Sequence, residues 1–166
     1  MKYRYAACLF LVAFLIQTTL MNVVRVFDVT PNLLLCLVVI FSFLYDHNNS
    51  GLVLGVIFGL LYDIAFSQFV GIAALAFLII SIAIMLVSSM MSKEAFFSVI
   101  ILAPAATVVY TLIYWGIMAM MGSNYSFLFV IGFLPYYVIY NTIVVIIMYL
   151  AMIKKVIRHH NDRYFK

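Results

Sequence analysis

Residues 51–71 read GLVLGVIFGLLYDIAFSQFVG, with Gly51, Gly55, Gly59 and Asp63 recurring every four residues. On a helix that spacing sets all four on one stripe, because residues i and i+4 lie one above the other. The three glycines leave a flat track on which another helix's backbone can lie close. Asp63 ends the track inside an otherwise apolar run. This combination suits a bilayer, where stripes of small residues let helices associate without a hydrophobic drive. An acid at that depth must face protein or water rather than lipid.

The composition agrees. Of 166 residues, 69% are hydrophobic and only 8% are charged, and the mean hydropathy is +1.26. A soluble domain carries about 25% charged residues, so the chain reads as an integral membrane protein. No stretch outside the apolar runs is long enough to fold alone, which implies one bilayer-embedded domain. Lys2 and Arg4 precede an apolar run from Tyr5 to Val24 that imitates a signal peptide. The run lacks a small-x-small cleavage site and is long enough to span, so it reads as a retained first helix. Cys8 and Cys36 lie within apolar runs and read as small hydrophobes rather than a disulfide or a metal pair.

Working outward from the stripe, the pattern predicts an all-α, polytopic bundle of six transmembrane helices with short loops. The spans fall at about 5–24, 31–45, 51–66, 70–91, 95–121 and 127–153, and residues 154–166 form a basic tail. Thr30 suits the N-cap of the second span, with Pro31 in its first turn, where the missing N–H is not needed. Residues 46–50 (DHNNS) make a polar turn, and Gly122-Ser123-Asn124 divides the long apolar stretch between Lys93 and Lys154. A kink is expected at Pro104, and Pro135 lies within the sixth span; such prolines are tolerated where neighbours satisfy the freed carbonyl. The positive-inside rule places both termini in the cytoplasm with Lys2, Arg4, Lys93 and the tail, leaving Arg25 alone outside. The tail residues Lys154, Lys155, Arg158, Arg163 and Lys166 then lie on anionic headgroups, at about 1 kcal/mol each.

Two readings of Asp63 stand side by side. It is either a contact for a ligand, proton or partner helix, or an acceptor for the start of the fourth span near Ser67 to Gly71 that fixes a tight turn. The glycine stripe divides the same way, between packing within the bundle and docking of another protein. Asn141, in mid-span near Tyr137 and Tyr140, reads as a hydrogen bond to a neighbouring helix. His47, His159 and His160 lack the spacing and carboxylate company of a metal site. No span pairs a Ser or Asp with a His or Lys as an intramembrane hydrolase would require, and there is no phosphate-binding glycine loop. Enzymatic activity, a cofactor and a nucleic-acid partner are not expected.

Three segments together resemble the MreD family of bacterial rod shape-determining membrane proteins. The first is Thr30-Pro31-Asn32-Leu33-Leu34-Leu35, like the family's proline-led opening of the second span; the family often has Asp after the proline, where this chain has Asn32. The second is Gly55-x-x-x-Gly59-Leu60-Leu61-x-Asp63 followed by Gly71 and Ala74-Leu75, and the third is Pro135 with Asn141 and Tyr149 ahead of a basic tail. The resemblance covers essentially the whole chain. It implies a scaffold of the rod elongation machinery in the bacterial cytoplasmic membrane, which supports peptidoglycan synthesis and cell shape. The partners it implies are the bitopic MreC, the RodA glycosyltransferase, a class B penicillin-binding transpeptidase and MreB. Either the stripe with Asp63 or the outer faces of spans one and two would supply the docking surface, and Gly55→Leu would then abolish partner co-purification. More distantly, the chain is similar to the substrate-binding membrane subunit of energy-coupling-factor vitamin transporters, a six-helix bundle with comparable glycine patterning. That function expects a cavity lined by polar groups from several spans, and conspicuous polar groups are scarce in the sequence.

Overall fold

The run LLLCLVVIFSFL has no polar face to offer to water and no reason to prefer one side for packing. A helix that is apolar all round belongs inside a bundle. In the computed structural model it is α2 (Leu33–Leu44), and all 12 of its residues are buried. The structure describes residues 3–19, 29–45, 49–91, 96–122 and 126–161, with side chains up to 153. Around α2 stand α1 (Tyr3–Thr19), α3 (Ser50–Phe66), α4 (Ile72–Ser88), α5 (Phe96–Met120) and α6 (Phe127–Asn161). Each of these five helices touches α2. The hub of the bundle is therefore α2, and the glycine stripe is where α3 is fitted onto it.

Aromatic packing ties the outer helices to this hub and to one another. Phe10 of α1 lies 5.6 Å, ring to ring, from Phe41 of α2 and 5.7 Å from Phe58 of α3. Phe77 of α4 stacks on Tyr110 of α5 at 5.5 Å. On α6 the buried residues Asn141, Val145 and Tyr149 recur every four positions and form its inward stripe. Much of the rest of α5 and α6 is apolar and exposed, as a lipid-facing surface would be.

The helix ends differ from expectation in instructive ways. Asn32, rather than Thr30, caps α2: its side chain accepts from Leu35 N–H at 3.0 Å. Pro31 stands before the cap instead of within the first turn, because the Asn amide oxygen one residue later is better placed to take an orphan N–H. α5 is continuous through Pro104, and α6 is continuous through Pro135. α6 also runs past the expected boundary at 153 to Asn161, since Lys, Arg and Ile hold helical backbone and nothing interrupts them sooner. Gly71 (φ +106°) and Gly122 (φ +88°) turn the chain before α4 and after α5, conformations that disfavour any residue with a Cβ.

Among the described residues only α5 and α6 are both long and apolar enough to cross a membrane by themselves; the other four have 12 to 17 described residues. α2, at 12 residues, rises only about 18 Å. Lys2, the Arg25 loop, residues 46–48, Lys93, the turn at 123–125 and the side chains of the basic tail, with His47, His159 and His160, lie outside the description.

Candidate functional site

The stripe on α3 is covered by the chain's own helices. A Cβ at Gly51 would sit 2.6 Å from the Ser42 backbone N and 3.0 Å from the Phe41 carbonyl carbon, both in α2. At Gly55 it would meet Val38 Cγ2 at 2.7 Å. At Gly59 it would meet Ala74 Cα and Phe77 Cδ2, both at 2.9 Å, in α4. The track thus passes from α2 onto α4 along the length of α3, and Asp63 continues it. The Asp63 carboxylate is fully buried, and its Oδ2 accepts from Gly71 N at 3.0 Å, Ala73 N at 2.8 Å and Ala74 N at 3.4 Å. Gly71 is the N-cap residue of α4 and has no side chain with which to cap it, so a carboxylate from α3 supplies the acceptor.

A second polar knot lies where α1, α2, α5 and α6 meet. Asn32 N–H donates to Asn141 Oδ1 at 2.8 Å, and Leu33 N–H donates to Gln17 Oε1 at 2.8 Å. Asn141 Nδ2 donates to Thr107 Oγ1 at 3.3 Å, and that hydroxyl donates to the Ala103 carbonyl at 2.9 Å. The directions agree with one another: a backbone N–H can only donate, so the amide oxygen of Asn141 must face α2 and its NH2 must face Thr107. Two amide side chains from different helices therefore finish the capping of α2 that Asn32 begins. Asn141→Ala leaves the Asn32 N–H without its acceptor and should lower stability by about 1–3 kcal/mol. Asn141→Gln, with the same groups on a longer stem, should recover part of the loss in the same thermal-unfolding assay.

Beside this knot is a half-open cavity of about 330 Å³. Gln17, Asn32, Thr107 and Asn141 line it at the level of the knot; Thr111, Tyr114, Trp115 and Met118 carry it along α5, and Phe129, Phe133 and Tyr137 along α6. Thr30, Tyr62 of α3, Tyr110 of α5 and Val130 of α6 complete the wall. From Thr107 to Met118 the lining follows α5 for roughly 16 Å. Among the described residues none of the lining carries a formal charge. Sequence reading singled out Asn141 here and missed the rest. Gln17 is the one amide in α1, and Thr107 and Thr111, one turn apart, were the available signal on α5.

A third feature lies on the other side of α2. Leu9, Val12 and Ile16 of α1 and Met148, Ala151 and Met152 of α6 flank a groove of about 320 Å³ whose floor is Leu33 and Leu37. The outer face of α2, expected as a docking surface, exists only as this floor. Among the described residues no group of three or more His, Cys, Asp or Glu side chains is placed to hold a metal ion.

Polar side chains directed inward onto helix ends, apolar side chains directed outward and an all-helical architecture define the class as a membrane-embedded helical bundle. The chain belongs to the MreD family: the family model described as rod shape-determining protein MreD matches residues 2–157. Its members are shape-determining membrane proteins, and that coarse role holds for this chain. Neither a curated protein nor a solved structure matches it.

Proposed function

We propose that this protein is a non-enzymatic scaffold of the rod elongation complex, which binds an MreC-like bitopic partner and supports peptidoglycan synthesis at the bacterial cytoplasmic membrane. The observation that carries this reading is the family match over residues 2–157. In this reading all six helices cross the bilayer and form one domain, with both termini cytoplasmic. The shortness of α2 is no obstacle, because protein rather than lipid surrounds it. A RodA-type glycosyltransferase, a class B penicillin-binding transpeptidase and MreB join through the same assembly, and the basic residues Lys154, Lys155, Arg158, Arg163 and Lys166 hold the end of α6 to anionic lipid.

The stripe residues Gly51, Gly55 and Gly59, with Asp63 and Gly71, act in helix packing within the bundle, as do Asn141 and the turn at Pro31. Pro135 is exposed on α6 and available to lipid or a partner. The docking surface for a transmembrane helix is the apolar groove between α1 and α6, where flexible Met148 and Met152 can adapt to a partner's side chains. Val12→Trp and Ala151→Trp place a large ring in that groove from either wall, over its α2 floor and not inside the core. Each should strongly reduce co-purification of the bitopic partner from mild detergent while the protein stays inserted and monodisperse. Undiminished partner recovery with both variants would remove the groove from this role. Gly55→Leu, by contrast, tests the bundle and not the docking.

The cavity between α5 and α6 supports a second reading, as the substrate-binding subunit of an energy-coupling-factor type transporter. Its polar lining comes from several helices, as that function demands. Recovery of an ATPase pair with a coupling membrane subunit, in place of wall synthases, would favour it.

A further inference from the structure

The scaffold reading gives no role to the cavity between α5 and α6, whose mixed aromatic and polar lining bears on what could occupy it. Its volume of about 330 Å³ is at the lower end of pockets that hold small ligands. Two observations favour a neutral occupant over a charged one. No described lining residue carries a full charge near neutral pH, so among these residues an ion inside would meet no opposite charge. The helix N-terminus beside it could have attracted an anion, but three of its N–H groups are already taken: Asn32 by Asn141, Leu33 by Gln17 and Leu35 by the Asn32 side chain. The N-terminus of α4 is likewise occupied by Asp63.

What remains is a wall of tyrosines and one tryptophan around neutral amides and hydroxyls. The C–H face of a sugar ring is apolar and slightly positive, and it suits the negative face of Tyr114 or Trp115. The hydroxyls around the ring both donate and accept. The Thr111 hydroxyl, which donates to the Thr107 carbonyl at 2.8 Å, can accept from them. The Gln17 NH2 can donate, its Oε1 being taken by Leu33 N–H, and the tyrosine hydroxyls can do either. We propose that this cavity binds an uncharged saccharide ring, presented as the headgroup of a glycolipid or as a free sugar. The site is independent of whatever docks in the groove between α1 and α6.

Trp115 is the chain's single tryptophan and lines the cavity, so its emission reports occupancy directly. The full-length protein is placed in nanodiscs of phosphatidylglycerol and phosphatidylethanolamine, prepared without glycoside detergents. It is titrated with octyl β-glucoside below its micelle concentration, with methyl β-glucoside, and with octyl phosphate and octyltrimethylammonium. Octyl β-glucoside should give a saturable change in Trp115 emission and raise the unfolding temperature, with the two charged octyl compounds about tenfold or more weaker. An equal response to methyl β-glucoside identifies a free sugar as the ligand; a requirement for the chain identifies a glycolipid. Thr111→Phe and Val130→Phe fill the cavity from α5 and α6, and whichever remains monodisperse should lose the response. Absence of both signals with both glucosides, equal binding of the charged compounds, or unchanged binding in a folded filled variant would each overturn the proposal. Partner co-purification is not an element of this test, so the scaffold reading stands or falls separately.

Discussion

Gly59→Leu is expected to eliminate the folded protein: in detergent it should give no monodisperse peak, where the unsubstituted chain gives one. The reason is the identity of the neighbours. A Cβ at Gly59 would be 2.9 Å from Ala74 Cα and 3.0 Å from Ala74 N, so the obstruction is backbone and cannot rotate away. Even Gly59→Ala must push α4 from α3, and overpacking of this kind costs about 1–3 kcal/mol. That movement would also pull the N–H groups of Ala73 and Ala74 from the Asp63 carboxylate, so the real cost should lie at the upper end. Gly51→Ala meets the backbone of α2 at Ser42 and Phe41 and should be about as damaging. Gly55→Ala meets a methyl of Val38 instead; a β-branched side chain has little freedom, but a side chain can yield where a backbone cannot, and the loss should be smaller. Gly116 and Gly132, with nothing within 4 Å of a new Cβ, are the internal controls: alanine there should leave thermal unfolding unchanged or raise it slightly, because helical glycine is entropically unfavourable. Equal tolerance at Gly59 and Gly116 would show that α3 is not clamped between α2 and α4.

These contacts also show what the sequence could and could not reveal. The four-residue recurrence of Gly51, Gly55, Gly59 and Asp63 announced a close helix approach, because periodicity is local and survives in one dimension. It did not say whose backbone approaches. That depends on the three-dimensional arrangement of α2 and α4, and both prove to belong to the same chain. The central place of α2 was legible in principle from a run with no polar face, yet a lipid-facing span can look the same. What separates them is enclosure by five other helices, which no single segment encodes. The capping of α2 was harder still. Thr30, Pro31 and Asn32 are each acceptable near a helix start, and the choice of Asn32 is settled by Gln17 and Asn141, which are distant in sequence and adjacent in space. The cavity was missed for the same reason. One amide on α1, two threonines on α5 and scattered tyrosines look unremarkable until the bundle brings them to a common wall.

Asp63→Ala should be the most damaging substitution outside the glycines, and the comparison with Asp63→Asn shows why. The carboxylate sits in the last turn of α3, the negative end of its own helix, where an acid is unfavourable. It is held there because the positive end of α4 faces it, and Oδ2 gathers three N–H groups of that helix's start. Removing it strands those donors in a buried place, with a cost on the order of 3 kcal/mol. It also unties the connection between α3 and α4, so the unfolding temperature should fall sharply. Asparagine keeps one oxygen for the same donors but gives up the charge that strengthens each bond. Its amide nitrogen would take the position of Oδ1, which has no hydrogen-bond partner among the described residues. Asp63→Asn should therefore fall between the wild type and alanine, with co-purification of the bitopic partner declining only as far as the folded fraction declines. A thermal profile left intact by Asp63→Ala, together with loss of the partner, would contradict this account: Asp63 would then be a docking residue, and the start of α4 would need another cap.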